Sequence, residues 1–123
     1  MTLRTGVDLM EISRLREAAG RHGERFFTRI YTPAERALCA GNYSSLAARF
    51  AAKEAISKTL GTGVGDIAWT EMEILRAPSG EPYLILHGKA RTRAEELGLA
   101  EWSISLSHSR DLAIAMVVAQ SQK

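Results

Sequence analysis

Residues 49–63 read RFAAKEAISKTLGTG. The run to Leu60 has helical spacing, and Gly61 and Gly63 fit a C-cap. Ala48, Ala51, Ala52, Ala55 and Ile56 form a small-residue face suited to close packing. Arg49, Lys53 and Ser57 line another row, and Glu54 and Lys58 lie one turn apart on the adjoining edge. A lone glutamate among cations has two readings. One is a solvated charged face carrying a Glu54–Lys58 pair, and pattern alone favours it. The other is a phosphate-and-metal site. Cations neutralise phosphates, and magnesium takes one or two carboxylates while leaving its other positions to water and substrate phosphates.

Upstream, Leu3 to Met10 reads as a strand with Val7 and Leu9 on one side and Asp8 and Met10 on the other. A helix over about Glu11 to Ala19 follows, with Ile12, Leu15 and Ala19 inward. If its phase continues past Gly20, Arg14, Arg21 and Arg25 share one outer face. Thr32-Pro33-Ala34-Glu35 is a helix start with a capping box, ending near Gly41. Ser44 or Ser45 is placed to cap the helix that holds the opening stretch.

The second half is strand-rich. Trp69 to Arg76 and Tyr83 to His87 flank Ala77-Pro78-Ser79-Gly80-Glu81-Pro82, which is hairpin chemistry. Lys89 to Leu97 reads as a short helix with Gly98 past its end. Trp102 to His108 alternates, with Ile104 and Leu106 opposite Ser103, Ser105 and Ser107. After a turn at Ser109-Arg110-Asp111, Leu112 to Ala119 is an almost continuous apolar strand, expected to be buried on both faces. The fold class is α+β, a mostly antiparallel sheet packed with a long helix, expected as one domain over residues 1–123.

Composition narrows the function. The 123 residues are 46% hydrophobic and 24% charged, the pattern of a globular protein. No apolar run is long enough to span a bilayer, so no membrane role is expected. The start, MTLRTGVDLMEI, puts acids where an export signal needs an apolar block. The single Cys39 makes no internal disulfide and no metal-type spacing, so a cytoplasmic location is expected. Net charge is only +2, yet Arg14, Arg16, Arg21, Arg25 and Arg29 crowd into one segment. That patch suits an acidic protein, a phosphorylated ligand or nucleic acid.

Few other residues compete for chemistry. Asp8 sits inside a strand, where aspartate is disfavoured. It is either an exposed edge residue or a metal ligand on a rigid element. Gly61-Thr62-Gly63-Val64-Gly65 follows a helix, so it fails the context of a dinucleotide loop, and no Lys-Ser/Thr pair completes a Walker motif. His108 is either a surface histidine or a phosphate hydrogen-bond donor. The three histidines are too scattered for zinc. Ser103, Ser105 and Ser107 lack an adjacent base and read as a polar strand face.

GVDLMEISR, ARFAAKEAISKTLGTG, SGEPYLILHG and SISLSHS occur in the order seen in holo-acyl-carrier-protein synthase, the short bacterial class of 4′-phosphopantetheinyl transferase. The resemblance runs from Gly6 to Val118, and KEAISK is its most specific element. It implies a 4′-phosphopantetheinyl transferase-like fold. It also implies transfer of phosphopantetheine from coenzyme A to a serine of apo acyl carrier protein, in fatty-acid biosynthesis, with release of adenosine 3′,5′-bisphosphate. Asp8 and Glu54 match the family's magnesium ligands. Lys58 matches a catalytic lysine at the coenzyme A phosphates, and Glu54, or a water near it, would take the serine proton. Arg49, His108 and the loop from Gly80 to Pro82 match the coenzyme A pocket. Arg14, Arg21 and Arg25 would dock the acidic carrier. The short class is typically a homotrimer with sites at subunit interfaces. Where some long-class members supply a third acid, this chain has Met10, so two protein carboxylates are expected on the metal. A different class of function, a non-catalytic basic module binding an acidic protein or nucleic acid, would tolerate Glu54→Gln. No nucleic-acid motif supports it.

Overall fold

The computed structural model describes residues 1–62 and 65–122. Along the chain these form β1 (Leu3–Glu11), α1 (Ile12–His22), α2 (Glu24–Ile30), α3 (Pro33–Cys39) and α4 (Tyr43–Leu60). A 3₁₀ turn (Trp69–Glu71), β2 (Met72–Arg76), β3 (Pro82–Leu86), α5 (Gly88–Glu96), β4 (Leu99–His108) and β5 (Leu112–Ser121) follow. The α+β class is as expected. Every strand pairing described is antiparallel: a sheet in the order β1-β5-β4 and a separate β2-β3 hairpin.

Local signals account for most boundaries. Thr32 and Glu35 form the expected reciprocal cap of α3, with Thr32 Oγ1 accepting from Glu35 N at 3.1 Å and Glu35 Oε1 from Thr32 N at 3.0 Å. Gly61, at φ 71°, supplies the left-handed C-cap of α4; Gly63 and Val64 lie outside the described residues. Four expectations change. The cap of α4 is Asn42, whose Oδ1 accepts from Ser45 N at 3.0 Å, and not a serine. The first helix runs through Gly20 to His22, and Gly23 at φ 57° breaks it before α2. Residues 69–71 form a 3₁₀ turn, so β2 starts later than expected. In this single chain β5 alternates, with Ala113, Ala115, Val117 and Ala119 buried but Leu112, Ile114 and Met116 exposed.

The centre of the molecule is α4, lying across the inner face of the β1-β5-β4 sheet with its alanines buried. Gly6 of β1 makes this approach possible. A Cβ built there would lie on the carbonyl oxygen of Ala55 and against Thr59 Oγ1 at 2.5 Å. The close approach brings the next inward-facing residue of β1, Asp8, to the edge of α4.

The expected solvated face of α4 does not exist for Arg49, Lys53 and Ser57, which are all buried. That row forms a seam with β2. Arg49 Nε donates to Ile74 O at 3.0 Å, and Lys53 Nζ donates to Met72 O at 2.7 Å. Lys53 is fully buried in an ion pair with Glu35 at 2.8 Å. Burial pulls its ammonium below the ordinary lysine value, with Glu35 opposing that shift. A helix packed against two sheets has no free face there, so its cations must be satisfied inside.

Candidate active site

Asp8, Glu54 and Lys58 come together at the edge between β1 and α4. Lys58 Nζ lies 3.0 Å from Asp8 Oδ1 and donates to Val7 O at 3.1 Å. Asp8 is mostly covered, while Lys58 is open to solvent. Glu54 sits one turn before Lys58 on the same edge. Its carboxyl is pushed up to about 6, first by burial, then by the charge of Asp8 and a hydrogen bond with it; Lys58 pulls the other way. Two carboxylates thus converge on one spot with a single ammonium beside them.

This donor set suits a hard divalent cation. The oxygens repel each other unless a proton or a cation lies between them. Among the described residues no group of three or more His, Cys, Asp or Glu forms a metal cluster. An ion at Asp8 and Glu54 would therefore keep positions for water and a phosphorylated ligand, as magnesium does.

A second feature gathers the other expected residues. Arg49, Gly80, Pro82 and His108, scattered over 60 positions of sequence, all line one cleft of about 200 Å³. Helix α4 supplies Arg49, the β2–β3 turn Gly80 and Pro82, and the end of β4 His108. Gly80 takes φ 95°, which only glycine adopts without strain. Arg76, at the end of β2, and Ser45 also line the cleft; sequence reasoning passed over both. The signal for Arg76 was its place, a cation at the foot of the turn that carries Gly80. Two guanidiniums and an imidazole around one opening suit a phosphorylated ligand.

The two features are not adjoining walls of one pocket in a single chain. Lys58 does not line the cleft. Asp8 pairs with Ala115, which pairs with Leu106 at the cleft, so two strand spacings, about 10 Å, separate them. Around α4, Arg49 and Glu54 point about 140° apart.

The basic segment is split. Arg14 and Arg21, both exposed, share one face of α1. Arg14 also lies 3.8 Å from Glu11. The break at Gly23 puts Arg25 on α2, where it lines a groove with Arg29, His22 and the stacked Phe50 and Trp69 rings, 4.8 Å apart. Arg16 turns away to cover Tyr43. His87 engages Glu73 at 3.0 Å, and Cys39 is a buried free thiol.

Known proteins resemble this chain in sequence and in fold. The sequence model of the 4′-phosphopantetheinyl transferase superfamily matches residues 4–117. A holo-[acyl-carrier-protein] synthase of Herpetosiphon aurantiacus is 51% identical over 121 residues, covering 93% of this chain and 95% of the relative. One from Dehalococcoides mccartyi is 52% identical over 118 residues, covering 96% and 98%. The crystal structure of Helicobacter pylori holo-[acyl-carrier-protein] synthase in complex with coenzyme A superposes with a TM-score of 0.87 at 32% identity, covering 94% of this chain and 99% of that one. With whole-length likeness in sequence and in fold, the chain belongs to the 4′-phosphopantetheinyl transferase superfamily, among the holo-acyl-carrier-protein synthases.

Proposed function

We propose that the chain transfers 4′-phosphopantetheine from coenzyme A to a serine hydroxyl of apo acyl carrier protein, in fatty-acid biosynthesis, at the edge where Asp8, Glu54 and Lys58 meet. That convergence is the observation that carries the reading. Asp8 and Glu54 hold magnesium, which when bound offsets the negative charge that repels an incoming oxygen nucleophile. Lys58 supplies a mobile point charge at the phosphates and stabilises the departing adenosine 3′,5′-bisphosphate. The serine oxygen forms the new bond to the phosphorus that carries pantetheine, and the bond from that phosphorus to the bridging oxygen breaks. Glu54, or a water beside it, takes the serine proton.

The cleft of Arg49, Arg76 and His108 holds the phosphorylated nucleoside end of coenzyme A, with the Gly80–Pro82 turn against the adenine. Its separation from Asp8 within one chain favours an assembly in which a neighbouring copy closes the site. The outer face of the β1-β5-β4 sheet supports a homotrimer of this kind, because Leu3, Val7, Leu9, Leu112, Ile114 and Met116 are all exposed on it. Arg14, Arg21 and Arg25 steer the acidic carrier to the site. Residues 1–123 act as one catalytic domain. No helix among the described residues is long and apolar enough to cross a membrane, and the unpaired thiol of Cys39 fits a reducing cytoplasm.

The test is a reaction of the chain with apo acyl carrier protein, coenzyme A and magnesium, followed by the intact mass of the carrier. The expected result is a gain of one phosphopantetheine that disappears with chelator. No gain with any of several apo carriers would overturn the proposal.

A further inference from the structure

Lys53 and Glu35 are the most deeply buried charges described, each with no exposed side-chain surface, and the chemistry above uses neither. Lys53 Nζ is seated in a socket of three acceptors: Glu35 Oε1 at 2.8 Å, Trp69 O at 3.0 Å and Met72 O at 2.7 Å. Glu35 is in turn held by Thr32 N at 3.0 Å and, through Oε2, by Ile74 N at 2.8 Å. One ion pair therefore ties the start of α3, the turn before β2 and β2 itself to a single point on α4. That point is the residue directly before Glu54.

The placement matters because a helix carries its side chains as a rigid set. Neighbouring residues stand 100° apart around the axis, and a side-chain head lies about 6 Å from it. A rotation of about 20° would sweep the Glu54 carboxylate through about 2 Å. A ligand must stay within about 0.5 Å of its productive place. The alanine face of α4 sets how closely the helix approaches β1 at Gly6, while hydrogen bonds on the row of Lys53 resist its turning about its own axis. The hydrogen bonds of Arg49 and Ser57 to Ile74 O and Met72 Sδ belong to the same seam. Among the described residues of that seam, only Lys53 has a charged partner.

We propose that the buried Lys53–Glu35 pair is a positioning unit for the metal site, fixing the rotation of α4 so that Glu54 stays against Asp8. Both residues act through Glu54 and touch no substrate. This assignment rests on the metal reading of Asp8 and Glu54 given above.

The test measures ion binding apart from turnover. Manganese affinity is read from the free-ion electron paramagnetic resonance signal, with coenzyme A present and no carrier protein, well below the melting temperature. Lys53→Met alone would strand a buried carboxylate. The informative variant is therefore Lys53→Met with Glu35→Gln, which removes both charges. If circular dichroism shows that it does not fold, Glu35→Gln alone replaces it: the amide oxygen still accepts from Lys53 and Thr32, while the charge and the bond from Ile74 N are lost. The expected result is a manganese affinity lower by about 10-fold or more in a folded variant, the size typical of lost outer partners of metal ligands. The magnesium concentration giving half-maximal turnover should rise in parallel. A folded variant binding manganese within twofold of the wild type would overturn the proposal and leave the pair a stabilising contact only. Asp8→Asn separates the other failure. A wild-type affinity that ignores Asp8→Asn would remove the metal reading, and the positioning role with it.

Discussion

Replacing Gly6 with alanine tests whether close packing of β1 on α4 builds the candidate active site. The new Cβ would stand 2.5 Å from Thr59 Oγ1 and closer still to the carbonyl oxygen of Ala55, a backbone atom inside a helix. Reaching 3.0 Å from that carbonyl, the nearest approach real side chains show, requires a movement of about 0.9 Å. The side chain of Thr59 cannot simply turn away without losing its 2.9 Å hydrogen bond to the same carbonyl. Overpacking of this kind costs about 1–3 kcal/mol. For a chain of this size that is a fall in melting temperature of roughly 4–15 °C. The catalytic loss should be larger than the thermodynamic one. The strand must lift two residues from Asp8, and a 1 Å misplacement costs about 100-fold in rate. The assay is the initial rate of carrier modification by intact mass, beside thermal unfolding followed by circular dichroism. Gly20→Ala is the control, since nothing lies within 4 Å of a Cβ there, and it should raise stability by about 0.5–1 kcal/mol. A Gly6→Ala protein that turns over within twofold of wild type and melts unchanged would refute the argument.

Other expectations follow from the same geometry. With chelator present, Glu54 carries a folded-state value of about 6 against 4.5 unfolded, so ionising it opposes folding. Its favourable contribution is complete below pH 4.5 and is lost as pH rises through 6. Glu54 is only half-covered, so the solvent-screened effect is below about 1 kcal/mol. Melting curves from pH 4 to 8 should show a smaller decline for Glu54→Gln than for wild type; equal declines would argue against the raised value. Because a metal competes with that proton, magnesium affinity should climb through the same pH range, and a pH-independent affinity would contradict the ligand role. Arg49→Met should weaken coenzyme A binding by at least about 10-fold and cost about 1–3 kcal/mol, because Ile74 O loses a buried donor; isothermal titration that finds unchanged affinity would remove Arg49 from the pocket. Reversing Arg14, Arg21 and Arg25 to glutamate should raise the KM for carrier protein and flatten its salt dependence, with the KM for coenzyme A unmoved. Ile114→Asp should give a monomer by sedimentation with little activity; a fully active monomer would end the shared-site reading.

Much of this molecule is written locally. The Thr32–Glu35 capping box, the Gly61 cap, the Ala77–Pro82 turn and the alternation of Trp102 to His108 each depend on residues within a few positions of one another. They could therefore be located without knowing the fold. The KEAISK stretch likewise announces a helix with charges, and its order relative to GVDLM and SLSHS carried the family resemblance. What could not be read was the fate of each charge. Arg49, Lys53, Glu54 and Lys58 look alike on a wheel, yet Lys53 is sealed in the core, Arg49 walls a cleft and Lys58 faces solvent. The wheel knows the angle between side chains but not which neighbour waits at each angle. Only the docking of α4 against β1 on one flank and β2 on the other decides that. The same holds for β5. Its apolar run promised burial on both faces, but one chain covers only the side of Ala113, Ala115, Val117 and Ala119 and leaves Ile114 and Met116 exposed. Asp8 and Glu54, and Arg49 and His108, meet through contacts 46 and 59 residues apart in sequence. Pairings that distant are set by global packing, because no local hydrogen bond or periodicity encodes them.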